Sequence, residues 1–410
     1  MNVLVLGKGG REHALAQHLA RSSLLNQLWV CPGNAGMALC GLSCVAGDSA
    51  AAVLAFCATH RVDIVVPGPE AYMVGNLKDT LQRAGVYCFA PTAHLAQLES
   101  SKLFAKDILR RAGLPTAAAQ VIGNAQLGAQ ALAAHDFEAH GLVLKADGLA
   151  QGKGVVVTHR RADAEAAFAQ LHRDFGFPIL FEEQLSGPEL SAFALCHGGT
   201  FRFLGTACDY KRIGPDPYSA NTGGMGAYSP CDFISAADEA RIKQIFEKTL
   251  RAITDQGLSY EGFLFAGLMK TATDIHVLEF NVRLGDPETQ ALLPRLSEDL
   301  LAAIVRARDD RLQANDAHQR AECAVHVVAA SRGYPQKDML LGQAIALPAD
   351  LSAITFAGVS AQGGTLVNSG GRVLGVTALA LTRAKARNQA YATLDGVSFE
   401  GMVYRRDIAA

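Results

Sequence analysis

The chain has 410 residues, of which 50% are hydrophobic, with 37 Lys and Arg against 39 Asp and Glu. This length predicts two to four domains, and the balanced charge gives no indication of a nucleic acid or an anionic membrane as a partner. The nine cysteines are scattered and odd in number, which disfavours a zinc site and a disulfide framework. Because the chain reaches a charged loop at Lys8, we expect no signal peptide or membrane span, and a cytoplasmic location.

The N-terminal part alternates short apolar strands with helical patterns. A strand at Val3 to Leu6 is followed by the glycine turn Gly7-Lys-Gly-Gly-Arg-Glu-His13 and a helix that continues to Arg21. The unit recurs as a strand at 27–31, a helix at 49–60 and a strand at 62–66. This alternation predicts parallel strands joined by crossover helices, in a Rossmann-like α/β domain.

The glycine turn places free backbone N–H groups at a helix N-terminus beside Arg11, which favours a phosphate monoester as ligand. A tight turn that simply requires glycine, or a nicotinamide-binding turn, would show the same residues. A nicotinamide site expects an acidic residue at the end of the second strand, where this chain has Val30-Cys-Pro-Gly-Asn34. We therefore predict a phosphate site, with a dehydrogenase as an alternative.

The pattern changes after a helix at 102–111, which Gly113 and Pro115 terminate. Residues 118–190 read as strands bounded by glycine and proline, with a helix at 162–174. This combination predicts a small α+β lid inserted into a larger α+β domain.

A charged, polar stretch at 306–320 leads into an apolar strand at 324–330, where we expect a small C-terminal α+β domain to begin. A later strand of that domain is predicted at 371–377. The predicted division is therefore 1–102, 103–323 with its lid at about 118–190, and 324–410.

Two lysines and three glycines lie between Leu144 and Val155 on a predicted strand-turn-strand. Backbone N–H groups of such a turn, together with Lys145 and Lys153, suit the phosphates of a nucleotide. Lys106 and Lys145 each interrupt an apolar pattern and so require an anionic partner, although solvated surface lysines are the alternative.

Glu279 and Asn281 stand two apart on a predicted strand and therefore point to one side. Their oxygens suit a magnesium ion that bridges ATP phosphates. We expect them to be buried with Arg283, which is costly without a metal and an anion, while an internal salt-bridge network is the structural alternative. The adjacent strand at 262–269 has no carboxylate, so ATP and water would supply much of the coordination. The prediction is an ATP-using ligase.

Three further segments carry candidate residues. Phe181-Glu-Glu-Gln-Leu185 can line an adenine pocket, with Glu189 near ribose hydroxyls, or can be a solvated acidic pair. The charged turn at 209–212 and the glycine-rich loop at 221–226 can close over a substrate or form an ordinary surface. We favour the functional interpretation of each.

An ordered series of motifs resembles the ATP-grasp superfamily and, within it, the phosphoribosylamine–glycine ligase family. The series comprises Gly7-x-Gly-Gly-Arg-Glu-His13, Pro32-Gly-Asn-Ala-Gly36, Gly68-Pro-Glu70, Leu98-Glu-x-Ser-Lys102 with Lys106, Lys145-Ala-Asp-Gly-Leu-Ala-x-Gly-Lys-Gly-Val155, Gly223-Gly-Met-Gly226, Glu279-Phe-Asn-x-Arg-x-Gly-Asp-Pro-Glu-Thr-Gln290, Gly370-Gly-Arg372 and Tyr404-Arg-Arg-Asp407. The order of these motifs along nearly the whole chain is far more specific than any one of them.

The resemblance implies an ATP-grasp domain between the N-terminal and C-terminal domains. It also implies ATP-dependent ligation of glycine to 5-phosphoribosylamine through glycyl phosphate, in de novo purine biosynthesis. The expected cofactors are ATP and Mg²⁺ or Mn²⁺, and we expect a monomer without nucleic-acid or membrane partners.

The resemblance further implies four groups of site residues. ATP would contact Lys106, Lys145, Gly152, Lys153, Gly154, Glu182, Leu185 and Glu189, while Glu279 and Asn281 would hold the metal. Asp209 and Arg283 would act at the glycine end, with Lys145 as a further catalytic residue. Gly10, Arg11, Glu12, Asn34 and Glu70 would hold phosphoribosylamine.

Several positions differ from the family pattern, most of them near the predicted sugar-phosphate pocket. They are Lys8, Tyr72, Met73, Asn76, Tyr210 and Leu284. Two alternatives therefore stay open: an ATP-grasp carboxylate–amine ligase or carboxylase with another acceptor, and a nucleotide-binding sensor without turnover.

Overall fold

The computed structural model describes residues 1–47, 49–149, 154–216 and 219–410. Within these ranges the strands form a parallel five-stranded sheet, an antiparallel four-stranded sheet, a mixed ten-stranded sheet and a two-stranded hairpin. This mixed α/β architecture agrees with the predicted fold class. The exact boundaries of the three domains stay a prediction.

The N-terminal sheet is built from alternating strands and helices, as the sequence predicts. The elements are β1 Asn2–Gly7, α1 Gly10–Leu19, β2 Gln27–Pro32, α2 Ala35–Leu39, β3 Ser43–Cys44, α3 Ala50–His60, β4 Ile64–Pro67, α4 Glu70–Val74, α5 Leu77–Arg83, β5 Tyr87–Cys88 and α6 Gln97–Ser100. All neighbours are parallel, in the order β3-β2-β1-β4-β5. Leu4 and Leu6 enter one hydrophobic cluster and Val3 and Val5 another, because a central parallel strand buries both faces.

The lid follows helix α7, Lys102–Arg111. Its elements are β6 Ala119–Ile122, α8 Ala125–Ala134, β7 Leu142–Ala146, β8 Val155–Thr158, α9 Arg161–Phe175 and β9 Ile179–Glu183. The strands are antiparallel in the order β6-β9-β7-β8, and α8 and α9 cover one face. Sequence analysis missed α8, although Asn124 caps it by accepting from Leu127 N at 2.9 Å.

The largest sheet combines strands from the middle and the end of the chain. The elements are β10 Glu189–His197, β11 Thr200–Asp209, β12 Gly226–Ser229, α10 Ala236–Thr254, β13 Glu261–Lys270, β14 Ile275–Asn281, α11 Glu288–Leu292, a 3₁₀ helix Leu293–Arg295, α12 Leu300–Arg308, β15 Asn315–Asp316, β16 Cys323–Ser331, β17 Ile354–Phe356, β18 Val359–Gln362, β19 Thr365–Asn368, β20 Arg372–Ala380, α13 Arg383–Leu394 and β21 Met402–Val403. The main order is β14-β13-β10-β11-β12-β16-β20-β17. The pairing of β12 with β16 makes the C-terminal strands a continuation of the central sheet.

Cys208 and Cys231 form a disulfide, with Cα atoms 6.0 Å apart. The cysteine count did not predict this pair. Among the residues described, no helix combines the length and the apolar character needed to cross a lipid bilayer.

The N-terminal and C-terminal parts meet at Phe356. Its ring lies over His13 with a centroid distance of 5.9 Å and an interplanar angle of 17°, and its N–H donates to Nδ1 of His13 at 2.8 Å. Burial lowers the pKa of His13 to about 4, which keeps the imidazole neutral and able to accept this bond. Asn34 Nδ2 donates to the carbonyls of Phe356 and Ala357 at 3.2 Å each. These contacts fix β17 against the start of α1 and α2.

Phe356→Ala should lower the free energy of unfolding by about 3–5 kcal/mol, because the ring is fully buried and its loss leaves a cavity between the domains. The check is the thermal unfolding midpoint by calorimetry. Leu381→Ala is the control, since Leu381 is 74% exposed and its truncation should change stability by less than about 0.5 kcal/mol. Equal midpoints for the two variants would contradict the packing described.

Candidate functional site

A cleft lies between the lid, α7 and strand β14. Its lining includes residues from all three, among them Lys102, Lys106, Lys145, Glu182, Glu279 and Asn281. The structure therefore brings together five residues predicted for ATP and metal, although Lys106 and Asn281 are 175 positions apart in the sequence. Sequence analysis did not assign Lys102 to the site.

Glu182 is the centre of the lysine cluster. It is 3% exposed, and its carboxylate lies 2.7 Å from Lys145 Nζ and 3.0 Å from Lys106 Nζ. Lys145 and Glu182 come from adjacent antiparallel strands, β7 and β9, whereas Lys106 reaches across from α7. Burial lowers the pKa of Lys106, and the charge of Glu182 opposes that shift. The anionic partner that both lysines required is thus a side chain of the protein itself.

The turn after β7 is tied to the start of α7. The carboxylate of Asp147 accepts from the N–H groups of Lys102 at 2.6 Å and Leu103 at 3.3 Å, while Lys102 Nζ donates to the carbonyl of Gly148 at 3.1 Å. A carboxylate at this position satisfies N–H groups that a helix start leaves without partners. Lys102 and Lys106 are thereby held on the same side of the cleft as Lys145.

Of the predicted phosphate-covering residues, Gly152 and Lys153 lie outside the described residues. Gly154 is buried at the start of the returning strand, and its carbonyl accepts from Ala146 N at 2.8 Å. The strands on either side of this segment, β7 and β8, pair in antiparallel orientation.

The inner face of the lid is apolar next to the lysines. Alternate residues of β7 and β9 pack against the lid helices, so Val143 and Leu180 lie on the opposite face of the lid sheet, which they share with Lys145 and Glu182. Leu185 is half-buried in the otherwise exposed segment after β9. This surface suits a planar heterocycle. Glu182 pairs with the two lysines beside it, and its contact with ATP stays a prediction.

Glu279 and Asn281 project from the same side of β14, as their spacing predicts. Asn281 Nδ2 donates to Glu279 Oε1 at 3.5 Å. Glu279 was expected to be buried, and this prediction is wrong: its side chain is exposed to the cleft, while Asn281 is buried. Desolvation opposes ionisation of Glu279, but the charges of Lys211 and Lys145 outweigh it and lower the pKa.

These two residues fit a hard divalent cation in part. A carboxylate and an amide oxygen are suitable ligands for Mg²⁺ or Mn²⁺. The described residues contain no group of three or more His, Cys, Asp or Glu side chains that could hold a metal. The donor set therefore fits an ion that brings further oxygen ligands with it.

Arg283 lies in a network of acidic side chains. Its Nη2 donates to Glu99 Oε1 at 2.8 Å and to Asn281 Oδ1 at 3.2 Å, and its Nε lies 3.4 Å from Glu70 Oε2. Desolvation opposes the charge of Arg283, but Glu99 and Glu70 raise its pKa. The salt-bridge network left open by the sequence is therefore present, and it joins the N-terminal domain to the strand of Glu279. Sequence analysis had assigned no role to Glu99.

A second charged cluster surrounds Asp209. Lys211 Nζ lies 2.5 Å from Glu189 Oε2 and 4.0 Å from Asp209 Oδ1. Burial raises the pKa of Asp209, and Lys211 opposes that shift. Glu189 thus faces a lysine where a ribose hydroxyl was expected.

Glu288 is a buried acidic residue that the sequence analysis did not assign. It is 4% exposed at the start of α11 and accepts a hydrogen bond from Ser191 Oγ at 3.1 Å. Burial, and then the charge of Asp209, raise its pKa to about 7. The sequence motif that contains Glu288 was recognised, but its proximity to the charge of Asp209 is seen only in the folded structure.

The side chain of Glu12 stabilises the glycine turn after β1. Glu12 Oε2 accepts from Gly9 N at 2.7 Å, and Glu12 Oε1 pairs with Arg11 Nε at 2.5 Å. Any side chain at Gly7, whose φ is +128°, would overlap Glu12. Glu12 therefore shapes the turn directly.

The other predicted sugar-phosphate residues surround this turn. Asn34 Oδ1 caps α2 by accepting from Met37 N at 2.9 Å, and its Nδ2 donates to the carbonyl of Lys8 at 2.8 Å. Arg11 Nη1 donates to the carbonyl of Leu284 at 3.1 Å. A Cβ at Gly10 would lie 2.5 Å from Gln290 Nε2, so glycine permits close packing against α11. The turn and the segment after β14 are in direct contact.

Three family models together match most of the chain. They are the phosphoribosylglycinamide synthetase N domain at residues 1–99, its ATP-grasp (A) domain at 100–289 and its C domain at 324–410.

Relatives and solved structures match over the full length. Phosphoribosylamine–glycine ligases from Rhizobium meliloti and Synechocystis are 43% and 42% identical over 100% of this chain, and 98% and 99% of their own lengths are covered. The crystal structure of phosphoribosylamine–glycine ligase from Thermotoga maritima has a TM-score of 0.88 and 33% identity, with 100% of both chains covered. Biotin carboxylase from Campylobacter jejuni, with a TM-score of 0.73, 15% identity and coverage of 98% of this chain and 93% of that one, shares the fold.

Glu288→Gln should stabilise the protein increasingly as the pH rises. The pKa of Glu288 is raised from its usual 4.5 to about 7, so between these values the folded protein keeps a proton that the unfolded chain has released. The wild-type carboxyl therefore costs stability progressively across this window, by up to about 3 kcal/mol above it. Thermal midpoints measured from about pH 5 to pH 8 should show the gain growing with pH.

Glu400→Gln is the matched control, because Glu400 is exposed and its variant should follow the wild type at every pH. A difference between Glu288→Gln and wild type that does not change with pH would contradict the raised pKa.

Proposed function

Because the chain belongs to the phosphoribosylglycinamide synthetase family, we propose that it ligates glycine to 5-phosphoribosylamine with conversion of ATP to ADP and phosphate. This reaction gives N1-(5-phosphoribosyl)glycinamide in de novo purine biosynthesis. The observation that carries the proposal is the cleft in which Lys106 and Lys145 converge on Glu182 opposite Glu279. A polyphosphate with a bound metal requires cations for its phosphates and oxygen ligands for the metal. The lysines can supply the first, and Glu279 and Asn281 on β14 can supply the second.

The nucleotide binds between the lid and β14. Lys106 and Lys145 hold its phosphates, together with Lys102, while the apolar inner face of the lid and Leu185 contact the base. Gly152, Lys153 and Gly154 are proposed to cover the phosphates, and Glu189 to contact the ribose after Lys211 leaves it. Glu182 keeps both lysines in place before the nucleotide arrives, because it pairs with each at 3.0 Å or less.

Glu279 and Asn281 are the proposed metal ligands. When bound, Mg²⁺ or Mn²⁺ supplies charge neutralisation for the crowded phosphates. Glu279 suits this role because its carboxylate is exposed to the cleft, and Gly267 on the adjacent strand leaves room for it: a Cβ there would lie 3.1 Å from Glu279 Cγ.

The acid and amine substrates meet near Arg283. One carboxylate oxygen of glycine attacks the γ-phosphorus of ATP, which forms glycyl phosphate and releases ADP. The nitrogen of phosphoribosylamine then attacks the carbonyl carbon, phosphate leaves, and the amide forms with loss of a proton from that nitrogen. Asp209 and Arg283 bind the glycine part, and no covalent bond to the protein is needed. Closure of the lid over the acyl phosphate would limit its hydrolysis by water.

The amine substrate is held by the N-terminal turn. Gly10 and Arg11 contact its phosphate, and Glu12 and Asn34 shape the turn. Glu70 begins α4 at the end of β4 and lies 3.4 Å from Arg283. The two substrate regions are therefore adjacent, which supports direct attack of the amine on glycyl phosphate.

Four features remain predictions: the choice between Mg²⁺ and Mn²⁺, the monomeric state, the cytoplasmic location and the domain limits at 102 and 323. None of them is needed for the chemistry proposed.

The direct test is ADP release with ATP, Mg²⁺ and glycine, in the presence and absence of phosphoribosylamine generated from ribose 5-phosphate and ammonia. Full release should require both substrates, and mass spectrometry should detect the glycinamide ribonucleotide. ADP release that does not depend on glycine would contradict the acid substrate. Glycine-dependent release without this product would instead indicate another acceptor.

Glu279→Gln should lower kcat by about 100-fold or more, because it removes the charged metal ligand and with it several kcal/mol of stabilisation of the transferring phosphate. Binding of ADP without metal should remain close to wild type, as the lysines are intact. Glu138→Gln, at an exposed position in the lid, is the control. Wild-type turnover by Glu279→Gln would refute the proposed metal site.

A further inference from the structure

Lys211 is placed among the acidic residues of the metal region. It follows β11, its side chain is 51% exposed, and its Nζ lies 2.5 Å from Glu189 and 4.0 Å from Asp209. Glu279 on β14 lies opposite Gly267 on β13, which lies opposite Ser191 on β10, two residues from Glu189. Desolvation opposes ionisation of both Lys211 and Glu279, but the attraction between their charges contributes to a raised pKa of the lysine and a lowered pKa of the glutamate. One ammonium group therefore lies beside two carboxylates and interacts electrostatically with a third, Glu279, which is a proposed metal ligand.

The protein alone offers few ligands to that ion. Glu279 and Asn281 are only two ligand side chains among the residues described, and Asn281 Oδ1 already accepts from Arg283 at 3.2 Å. A divalent cation that arrives without phosphates would also meet the repulsion of the Lys211 ammonium. Phosphates change both conditions, because they bring oxygen ligands to the metal and negative charge to the lysine.

The side chain of Lys211 can move without disturbing the turn that carries it. The carbonyl of Lys211 accepts from Thr222 N at 2.7 Å and from Thr222 Oγ1 at 2.9 Å. The neighbouring Tyr210 is held by its own backbone, which donates to Gly226 at 3.0 Å and accepts from Met225 at 2.8 Å. The backbone is thus fixed by main-chain and threonine contacts, whereas the ammonium group, within the described part of the chain, contacts carboxylates of a half-exposed cluster.

We propose that Lys211 is a resident cation that neutralises the metal-binding region of the nucleotide-free protein and moves to the phosphates when a metal–nucleotide complex enters. The metal consequently binds with the nucleotide and not before it. This inference rests on the proposed nucleotide and metal site, and it adds an order of binding to that site.

The test measures binding of Mn²⁺ to the full chain by electron paramagnetic resonance, with and without ATP and in the absence of glycine. Lys211→Met should bind free Mn²⁺ about tenfold or more tightly than wild type, because the competing charge is gone. The same variant should bind Mn–ATP more weakly, because the phosphates lose a cation. A gain for free metal and a loss for metal–nucleotide is the expected signature.

Three variants complete the design. Lys211→Arg keeps the charge and should resemble wild type in free Mn²⁺ binding. Lys243→Met removes a lysine that bridges Glu239 and Asp316 at 2.7 Å each, away from the cleft, and should change neither affinity. Adding Glu279→Gln to Lys211→Met should abolish the gained Mn²⁺ affinity, which assigns it to this carboxylate.

Unchanged or weaker free Mn²⁺ binding by Lys211→Met, or tighter binding of both free metal and Mn–ATP, would overturn the inference. Wild-type binding of Mn–ATP in those cases would leave the proposed function intact. Failure of the wild type to bind Mn–ATP would instead contradict the nucleotide site, and the inference with it.

Discussion

Charged groups in a partly dehydrated cleft need partners, and this constraint organises the site before any ligand is present. Glu182 is held by two lysines, Arg283 by two glutamates and Lys211 by the acidic residues around it. Removing one member would leave an unpaired charge, which costs more than the pair contributes. In the site we propose, these pairs are exchanged for ligand charges: phosphates replace carboxylates at the lysines, and a metal replaces lysine at the carboxylates. Structural stability and readiness for a nucleotide therefore depend on the same residues.

The fold brings these charges together from distant parts of the chain. Antiparallel pairing of β7 with β9 places Lys145 beside Glu182, and the two-residue period of β14 directs Glu279 and Asn281 to the cleft. The parallel N-terminal sheet contributes Glu70 at the end of β4. Its contact with Arg283 connects the glycine turn to the strand of Glu279. A reaction in which an amine attacks an acyl phosphate requires such proximity between two separately held substrates.

The sequence predicted what depends on local periodicity and on motif order. The shared orientation of Glu279 and Asn281, the alternation of the N-terminal elements and the requirement of Lys145 for an anion all follow from neighbouring residues. The identity of that anion, Glu182, does not, because it depends on the register of two strands. Glu288 was missed because its position depends on the packing of α11 against β10, where its contact with Ser191 joins residues 97 positions apart. The exposure of Glu279 differed from expectation because the two-residue period shows which side of a strand a residue faces. It does not show that this side opens into a cleft at the end of β14. Helix α8 was overlooked, although Asn124 directly before it is a residue type that favours a helix N-terminus.

The central claim, that glycine is activated as an acyl phosphate in the cleft, is tested most directly with glycine labelled with ¹⁸O in its carboxylate. When the amine displaces phosphate, the oxygen that bridged carbon and phosphorus stays with phosphorus. The account predicts that each molecule of product is accompanied by inorganic phosphate carrying one ¹⁸O atom from glycine, detected by mass spectrometry. Product formation with unlabelled phosphate would contradict attack of the glycine carboxylate on ATP.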